Sequence, residues 1–232
     1  MAFPVLVIGS SGSGKTYSLK NFKASEVGIL SIEKGRLPFD QRGIPDDEKL
    51  KVIKVKSFND NEHSPAQANA AKYSWIQTVI KNAKTKSIVI DDSQYLLSGE
   101  FFDRAYEKGY DKFTDIAAKF RNLIHFINEL PEDDKIVYFL HHNDIGDDGR
   151  AKVKTVGKML DEKLVVEGCF DVVLYCQDQK FFTQSNGQST AKTPEGMFDL
   201  EIPNDLKMVD DAIRDYYGIQ VKKTKGTKGK TG

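Results

Sequence analysis

The run Phe3-Pro4-Val5-Leu6-Val7-Ile8 leads directly into Gly9-Ser10-Ser11-Gly12-Ser13-Gly14-Lys15-Thr16, the pattern G-x-x-x-x-G-K-T. Its placement constrains the fold more than the pattern alone. A strand must deliver the chain to a glycine-rich turn, and a helix must receive it. Glycines adopt backbone conformations closed to other residues, so successive N–H groups can point into one concavity around a phosphate. A helix beginning near Lys15 adds the positive end of its dipole to that anion site. Residues Gly9, Ser10, Ser11, Gly12, Ser13, Gly14, Lys15 and Thr16 are thus the expected binding loop for a nucleoside triphosphate. Lys15 would reach the β- and γ-phosphates, and the Thr16 hydroxyl would ligate Mg2+.

The rest of the chain alternates between strand and helix patterns. Residues 3–8 read as the first strand, about 15–24 as the helix after the loop, 27–32 as a second strand and 51–55 as a shorter third. A helix is expected over roughly 65–83, where Trp75, Ile76, Val79 and Ile80 keep helical spacing, and another over 111–130. Between them Ser87-Ile88-Val89-Ile90-Asp91-Asp92 is an apolar strand ending in acids. Residues 136–140 and 172–176 follow as strands, and 207–217 as a last helix. Continuous apolar strands separated by helices indicate a mainly parallel sheet with helices on both faces, an α/β fold. Ligands in such sheets sit at the carboxyl ends of the strands. Three connections, at 34–50, 141–157 and 185–197, are long enough to suggest function.

At 232 residues the chain suits one domain over 1–221, followed by a Lys/Gly-rich tail at 222–232. Its 39% hydrophobic and 29% charged residues are those of a globular protein. No apolar run reaches membrane-spanning length, so no membrane association is expected, and the start reads as a strand rather than a signal peptide. Cys169 and Cys176, the two cysteines, match no metal spacing and are expected as reduced thiols in a cytoplasmic protein. The formal charge of zero conceals an asymmetry. The tail carries five lysines and no acid, which leaves 29 basic against 34 acidic residues in the body. Such a tail should be disordered alone. Nucleic-acid binding would have to come from the tail or from local basic loops.

Chemistry is sought just past the strands. Asp91 fits the acid that holds magnesium beside Thr16, although an acid pair there also caps helices. For the carboxylate that orients the attacking water, Asp92 and Glu33 compete, and Glu33, ending the strand before it, is preferred. His142 closes another strand and is a candidate γ-phosphate sensor or link to a DNA-binding loop; an imidazole satisfied locally is the competing reading. The segment 143–158 turns from acidic to basic, so Arg150, Lys152, Lys154 and Lys158 are candidates for DNA phosphates or for a neighbouring subunit's γ-phosphate, as against a solvated loop. Lys192 is similarly placed. Phe181 and Phe182, or Tyr106 and Tyr110, offer stacking surfaces, but each pair is expected in the core. Only six arginines are present, which tilts against a metabolite kinase, since those enzymes clamp two substrates with several.

Taken together, Gly9–Thr16, Ser31-Ile32-Glu33, Ile88-Val89-Ile90-Asp91 and the strand ending at His142 resemble the RecA-like ATPase core. More narrowly, with Lys154–Lys158, Ala191–Phe198 and Asp215–Gly218, the chain resembles compact phage nucleotide-binding proteins of that branch, some of which act in single-strand annealing. The resemblance implies a RecA-type fold, ATP with Mg2+, single-stranded DNA, and a homo-oligomeric ring or filament. It also implies an ATPase working in recombination or annealing. A nucleotide-gated adaptor that recruits a single-strand-binding protein or helicase is the alternative, and a small-molecule kinase or a motor stands behind it. Ser31 departs from the pattern, since RecA-type sequences often carry an acid there.

Overall fold

The structure is a computed structural model and describes residues 2–33, 35–59, 62–157 and 164–220. Lys158 and the tail at 222–232 lie outside the described residues.

The first strand, β1 (Phe3–Gly9), is buried on both faces and sits in the middle of the sheet. It pairs in parallel with β5 (Ile136–Ile145) on one side and β7 (Val172–Gln177) on the other. Beyond β5 come β4 (Ser87–Asp91), β2 (Val27–Ser31) and β3 (Val52–Lys54), all parallel. On the far side β8 (Lys180–Phe182) and β9 (Glu201–Pro203) extend the sheet antiparallel, giving the order β3-β2-β4-β5-β1-β7-β8-β9. A short β6 (Ala151–Val153) pairs back onto the outer end of β5.

Helices cover both faces, as the alternation along each strand requires. Leu6 and Ile8 of β1 join a cluster with α1 (Pro65–Asn82), α2 (Tyr95–Asp103) and α3 (Asp111–Asn128). Val5 and Val7 point the other way, into a cluster holding Leu19, Phe22 and the apolar side of α4 (Leu206–Tyr216). Far from the carboxyl strand ends, Arg214 of α4 bonds Asp210 (2.7 Å), the Asp134 carbonyl (2.7 Å) and Ser87 (3.0 Å), which clamps the helix to the start of β4. Among the described residues no helix is long and apolar enough to cross a membrane.

Several elements differ from the sequence reading. The helix expected over 15–24 is a six-residue 3-10 segment, Thr16–Asn21. Its side chains explain the shortness: Ser18 Oγ donates back to the Lys15 carbonyl (2.5 Å) and Asn21 turns out to Asp205 (2.6 Å), so both compete with helix propagation. The dipole at the loop is correspondingly smaller than a ten-residue helix would give. The connection at 141–157 is largely not a loop, because β5 runs on to Ile145 and returns as β6. Part of the connection at 185–197 is also tied down: Ser189 bridges Ala151, and Lys192 bridges Val173. Helix α2 and strands β8 and β9 were not foreseen. Tyr106 and Tyr110, expected in the core, are exposed (100% and 75%), whereas Phe181 is fully buried and Phe182 half-buried.

Candidate functional site

The register of the sheet builds the site. Gly9, the last residue of β1, lies opposite His142 of β5, and Ser31 of β2 lies opposite Asp91 of β4. Strands β1, β2 and β4 therefore end on one rim that β5 crosses at His142, and the glycine-rich loop leaves from its centre. Gly9 has no room for a side chain: a Cβ there would stand 2.6 Å from the Cys176 carbonyl and from Ser13 Oγ. Gly12 (φ +81°) and Gly14 (φ +108°) take left-handed backbone, and a Cβ on Gly14 would meet the Asn204 amide. The loop is braced from the β7–β9 side, where Asn204 Nδ2 donates to the Gly14 carbonyl (3.0 Å) and Cys176 Sγ to the Ser13 carbonyl (3.3 Å). From the β5 side Ser10 Oγ donates to Asn143 Oδ1 (3.0 Å). Buried Lys15 folds its ammonium onto the carbonyls of Gly9 (2.6 Å) and Ser10 (2.9 Å), at the mouth of the concavity.

Thr16 Oγ1 donates to Asp91, 3.0 Å from Oδ1 and 3.2 Å from Oδ2. Two neighbouring oxygens of an octahedral magnesium shell lie about 3 Å apart, so this hydroxyl–carboxylate spacing fits a shared Mg2+. Among the described residues no group of three or more His, Cys, Asp or Glu gathers around a cation. Magnesium takes one or two protein oxygens and completes its shell with phosphates and water, which is what the Thr16–Asp91 pair offers. The next residue, Asp92, is buried and forced into left-handed backbone (φ +60°), unusual for a non-glycine residue and typical of functional sites. Its carboxylate stands 3.5 Å from His142 Nε2, and Tyr95 meets the same imidazole edge-on at 5.9 Å between centroids.

Lys15, Thr16, Asp91, Asp92 and His142 line one cavity of about 600 Å3, with Arg36, Pro38, Tyr17 and Gln179 completing its wall. Past Tyr17 and Gln179 lies a second hollow of about 730 Å3, bounded by Asn204 and Pro203 among others. Together they offer room for a triphosphate and, beyond it, a base with its sugar.

Burial and the neighbouring Asp92 carboxylate push Asp91 up to about 6, against Thr16 and Lys15, which favour its ionised form. His141 moves the opposite way, pulled down to about 4 by full burial. Its Nε2 must carry the proton, since it faces the Lys154 carbonyl (2.9 Å), and Nδ1 accepts from Ser93 Oγ (2.9 Å). Between about pH 4 and 6 folded Asp91 holds a proton that the unfolded chain has released, so acidification favours the fold. Between about pH 6.5 and 4 folded His141 stays neutral where the unfolded chain is protonated, so acidification disfavours it. Each effect is worth about 3 kcal/mol at full extent, and the two nearly cancel. Asp91→Asn removes only the first. Its melting temperature is expected to fall more steeply than wild type's from pH 6.5 to 4.5 in thermal melts, and parallel curves would refute the opposition.

The sequence-based candidates are thus partly gathered. The loop residues, Lys15, Thr16, Asp91, Asp92 and His142 converge. Glu33 lies two residues past β2, exposed, and is not among the residues lining the cavity. Arg150, Lys152 and Lys192 edge a separate hollow beneath the β5–β6 hairpin. Arg36, Tyr17, Gln179 and Asn204 were missed. Only Tyr17 had a local signal, its place next to the loop; the others reach the site through tertiary structure.

No curated protein matches the chain. The family described as AAA domain (AAA_24) matches residues 2–231, nearly the whole length. With the strand–loop–helix junction, the mainly parallel sheet and the Thr16–Asp91 pair in place, the match agrees with the geometry of a nucleotide-binding P-loop ATPase: the chain belongs to the AAA domain family.

Proposed function

We propose that the protein hydrolyses Mg-ATP and couples the reaction to single-stranded DNA, in the manner of compact phage recombination and annealing ATPases. In this reading Lys15 and the loop N–H groups hold the β- and γ-phosphates, while Thr16 and Asp91 hold the magnesium that screens them. Asp92, set by His142, orients water toward the γ-phosphorus. The water oxygen forms the new bond to phosphorus as the bond to the β–γ bridging oxygen breaks, its electron pair leaving on ADP. The water's proton ends on the released phosphate or in solvent.

One observation carries the DNA half. Strand β5 leaves the nucleotide rim at His142 and continues as the β5–β6 hairpin, which carries Arg150 and Lys152 beside Lys192. His141 binds the carbonyl of Lys154, just past β6, and Ser93 next to Asp92, so the hairpin base and the rim are joined by hydrogen bonds. A change at the γ-phosphate thereby has a rigid path to cationic side chains. Arg150 is held by Asp148 (2.6 Å), but both are exposed, so exchange for a phosphate costs little. Assembly as a ring or filament on the strand belongs to the same reading.

The test is phosphate release with and without single-stranded oligonucleotide. Stimulation of about tenfold or more is expected, together with an affinity for the oligonucleotide that falls by about 0.7 log units per phosphate contact for each tenfold rise in salt. Exposed Phe102 (71%), with Tyr106 and Tyr110, favours the adaptor as second reading, since such rings suit a protein partner. ATP binding with turnover indifferent to DNA would select it.

A further inference from the structure

We infer that Arg36 is the ligand of the nucleotide's terminal phosphate, so that the catalytic cation comes from the same chain that carries the loop. This rests on the ATPase reading above. Past β2 the backbone turns at Gly35, whose φ of +67° lies in the left-handed region and whose N–H donates to Ser31 Oγ (3.0 Å). The turn carries the next residue, Arg36, to the cavity wall. The connection beyond is pinned in two places. Phe39 meets Tyr17 edge-on, centroids 6.2 Å apart, and the Gln41 side chain bonds the Leu50 backbone twice (3.2 and 2.7 Å). Arg36 itself is exposed, on a segment whose backbone is held at Gly35 before it and at Phe39 and Gln41 after it.

Among the described residues Arg36 makes no hydrogen bond and no ion pair, although it lines the same cavity as the Asp91 and Asp92 carboxylates. Lys15 and Arg36 are the lysine and arginine of that wall. Sheet order says which end of the nucleotide Arg36 meets. Strand β2 lies beyond β4, on the side of Asp91 and Asp92, whereas Gln179 stands on the β7–β8 turn and opens toward the second hollow. A nucleotide lying across the loop turns its phosphate end to Arg36 and its base away.

A guanidinium suits this place. It stays charged at any working pH, and its planar fork can bond two phosphoryl oxygens at once as charge spreads over them. It forms and breaks no covalent bond; it stabilises the oxygens while water replaces ADP at phosphorus. P-loop enzymes obtain such a cation in cis or from a partner. With Arg36 in cis, each chain can turn over without a neighbour.

The experiment compares wild type, Arg36→Ala and Arg36→Lys. It measures affinities for Mg-ADP and for Mg with the β,γ-imido analogue of ATP, and single-turnover hydrolysis over a wide range of chain concentration. Arg36→Ala is expected to lower analogue affinity about tenfold or more, to leave ADP affinity within about twofold, and to slow hydrolysis about 1,000-fold. Arg36→Lys should recover little of the rate, and the wild-type rate per chain should be flat on dilution. Equal losses for ADP and the analogue, or none for either, would overturn the assignment. A wild-type rate that vanishes on dilution would overturn the in-cis source. If wild type binds both nucleotides but does not hydrolyse ATP, the ATPase reading fails alone, because the analogue-to-ADP ratio still decides whether Arg36 meets the terminal phosphate.

Discussion

Lys15→Ala abolishes measurable Mg-ATP and Mg-ADP binding in a calorimetric titration, while circular dichroism and the melting curve stay close to wild type. The expected loss is 100-fold to 1,000-fold or more in affinity, equivalent to about 3–4 kcal/mol. The size follows from where the ammonium sits. It is buried at the mouth of the loop's concavity, held 2.6 Å from the Gly9 carbonyl and 2.9 Å from that of Ser10. A phosphate entering the loop therefore meets a desolvated cation whose charge-assisted bonds are stronger than those of an exposed lysine. The substitution frees two loop carbonyls, those of Gly9 and Ser10, and water replacing the lysine there costs about 1 kcal/mol each, so the fold is expected to survive. Retained nucleotide affinity in a folded Lys15→Ala protein would refute the site.

Why the loop was legible and Arg36 was not comes down to the range of the forces involved. The junction from β1 into Gly9–Thr16 is local: an apolar strand, glycines where a Cβ would collide or φ is positive, then a lysine and a hydroxyl. Asp91 was legible for a similar reason, as an acid ending an apolar strand. Strand order is not local. That Gly9 stands opposite His142, and Ser31 opposite Asp91, depends on how strands far apart in sequence pack. Arg36 sits on a connection that enters the wall through a turn at Gly35 and an aromatic contact to Tyr17. Gln179 arrives on a tight β7–β8 turn, where Asp178 (φ +50°) and Gln179 (φ +60°) both take left-handed backbone without glycine. Neither leaves a periodic trace.

The misread segments have equally specific causes. Strand β5 outruns its parallel neighbours, and its last residues, Asn143, Asp144 and Ile145, are paired on one side only by β6. Their polar composition therefore resembles a loop although they are extended. Helix α2 begins at Tyr95 without a side-chain cap, so the usual start signal is missing. In the loop's own helix Ser18 and Asn21 spend their hydrogen bonds against α-helical propagation. Leu19 and Phe22 are both buried, but the helical segment between the loop and Phe22 is only six residues long.

Asp92→Asn and Glu33→Gln should separate the two carboxylates proposed for the attacking water. Asp92 lines the cavity, buried, one residue past Asp91, and its left-handed backbone turns it toward His142 Nε2 at 3.5 Å. That conformation costs on the order of 1 kcal/mol or more, and the fold sustains it through Tyr95 N–H on the Asp92 carbonyl (3.0 Å) and Ser93 N–H on that of Leu140 (2.9 Å). Asparagine tolerates left-handed backbone as well as aspartate does, so the substitution removes the charge without disturbing the turn. Steady-state phosphate release should fall 100-fold to 1,000-fold in Asp92→Asn, with Mg-ATP affinity within a few-fold of wild type, as for a group that acts on the transition state alone. Glu33→Gln, on an exposed residue outside the cavity wall, should keep turnover within about threefold. The reverse pattern would hand the water to Glu33, and would mean that the segment leaving β2 brings two charged residues, Glu33 and Arg36, to the γ-phosphate when nucleotide binds.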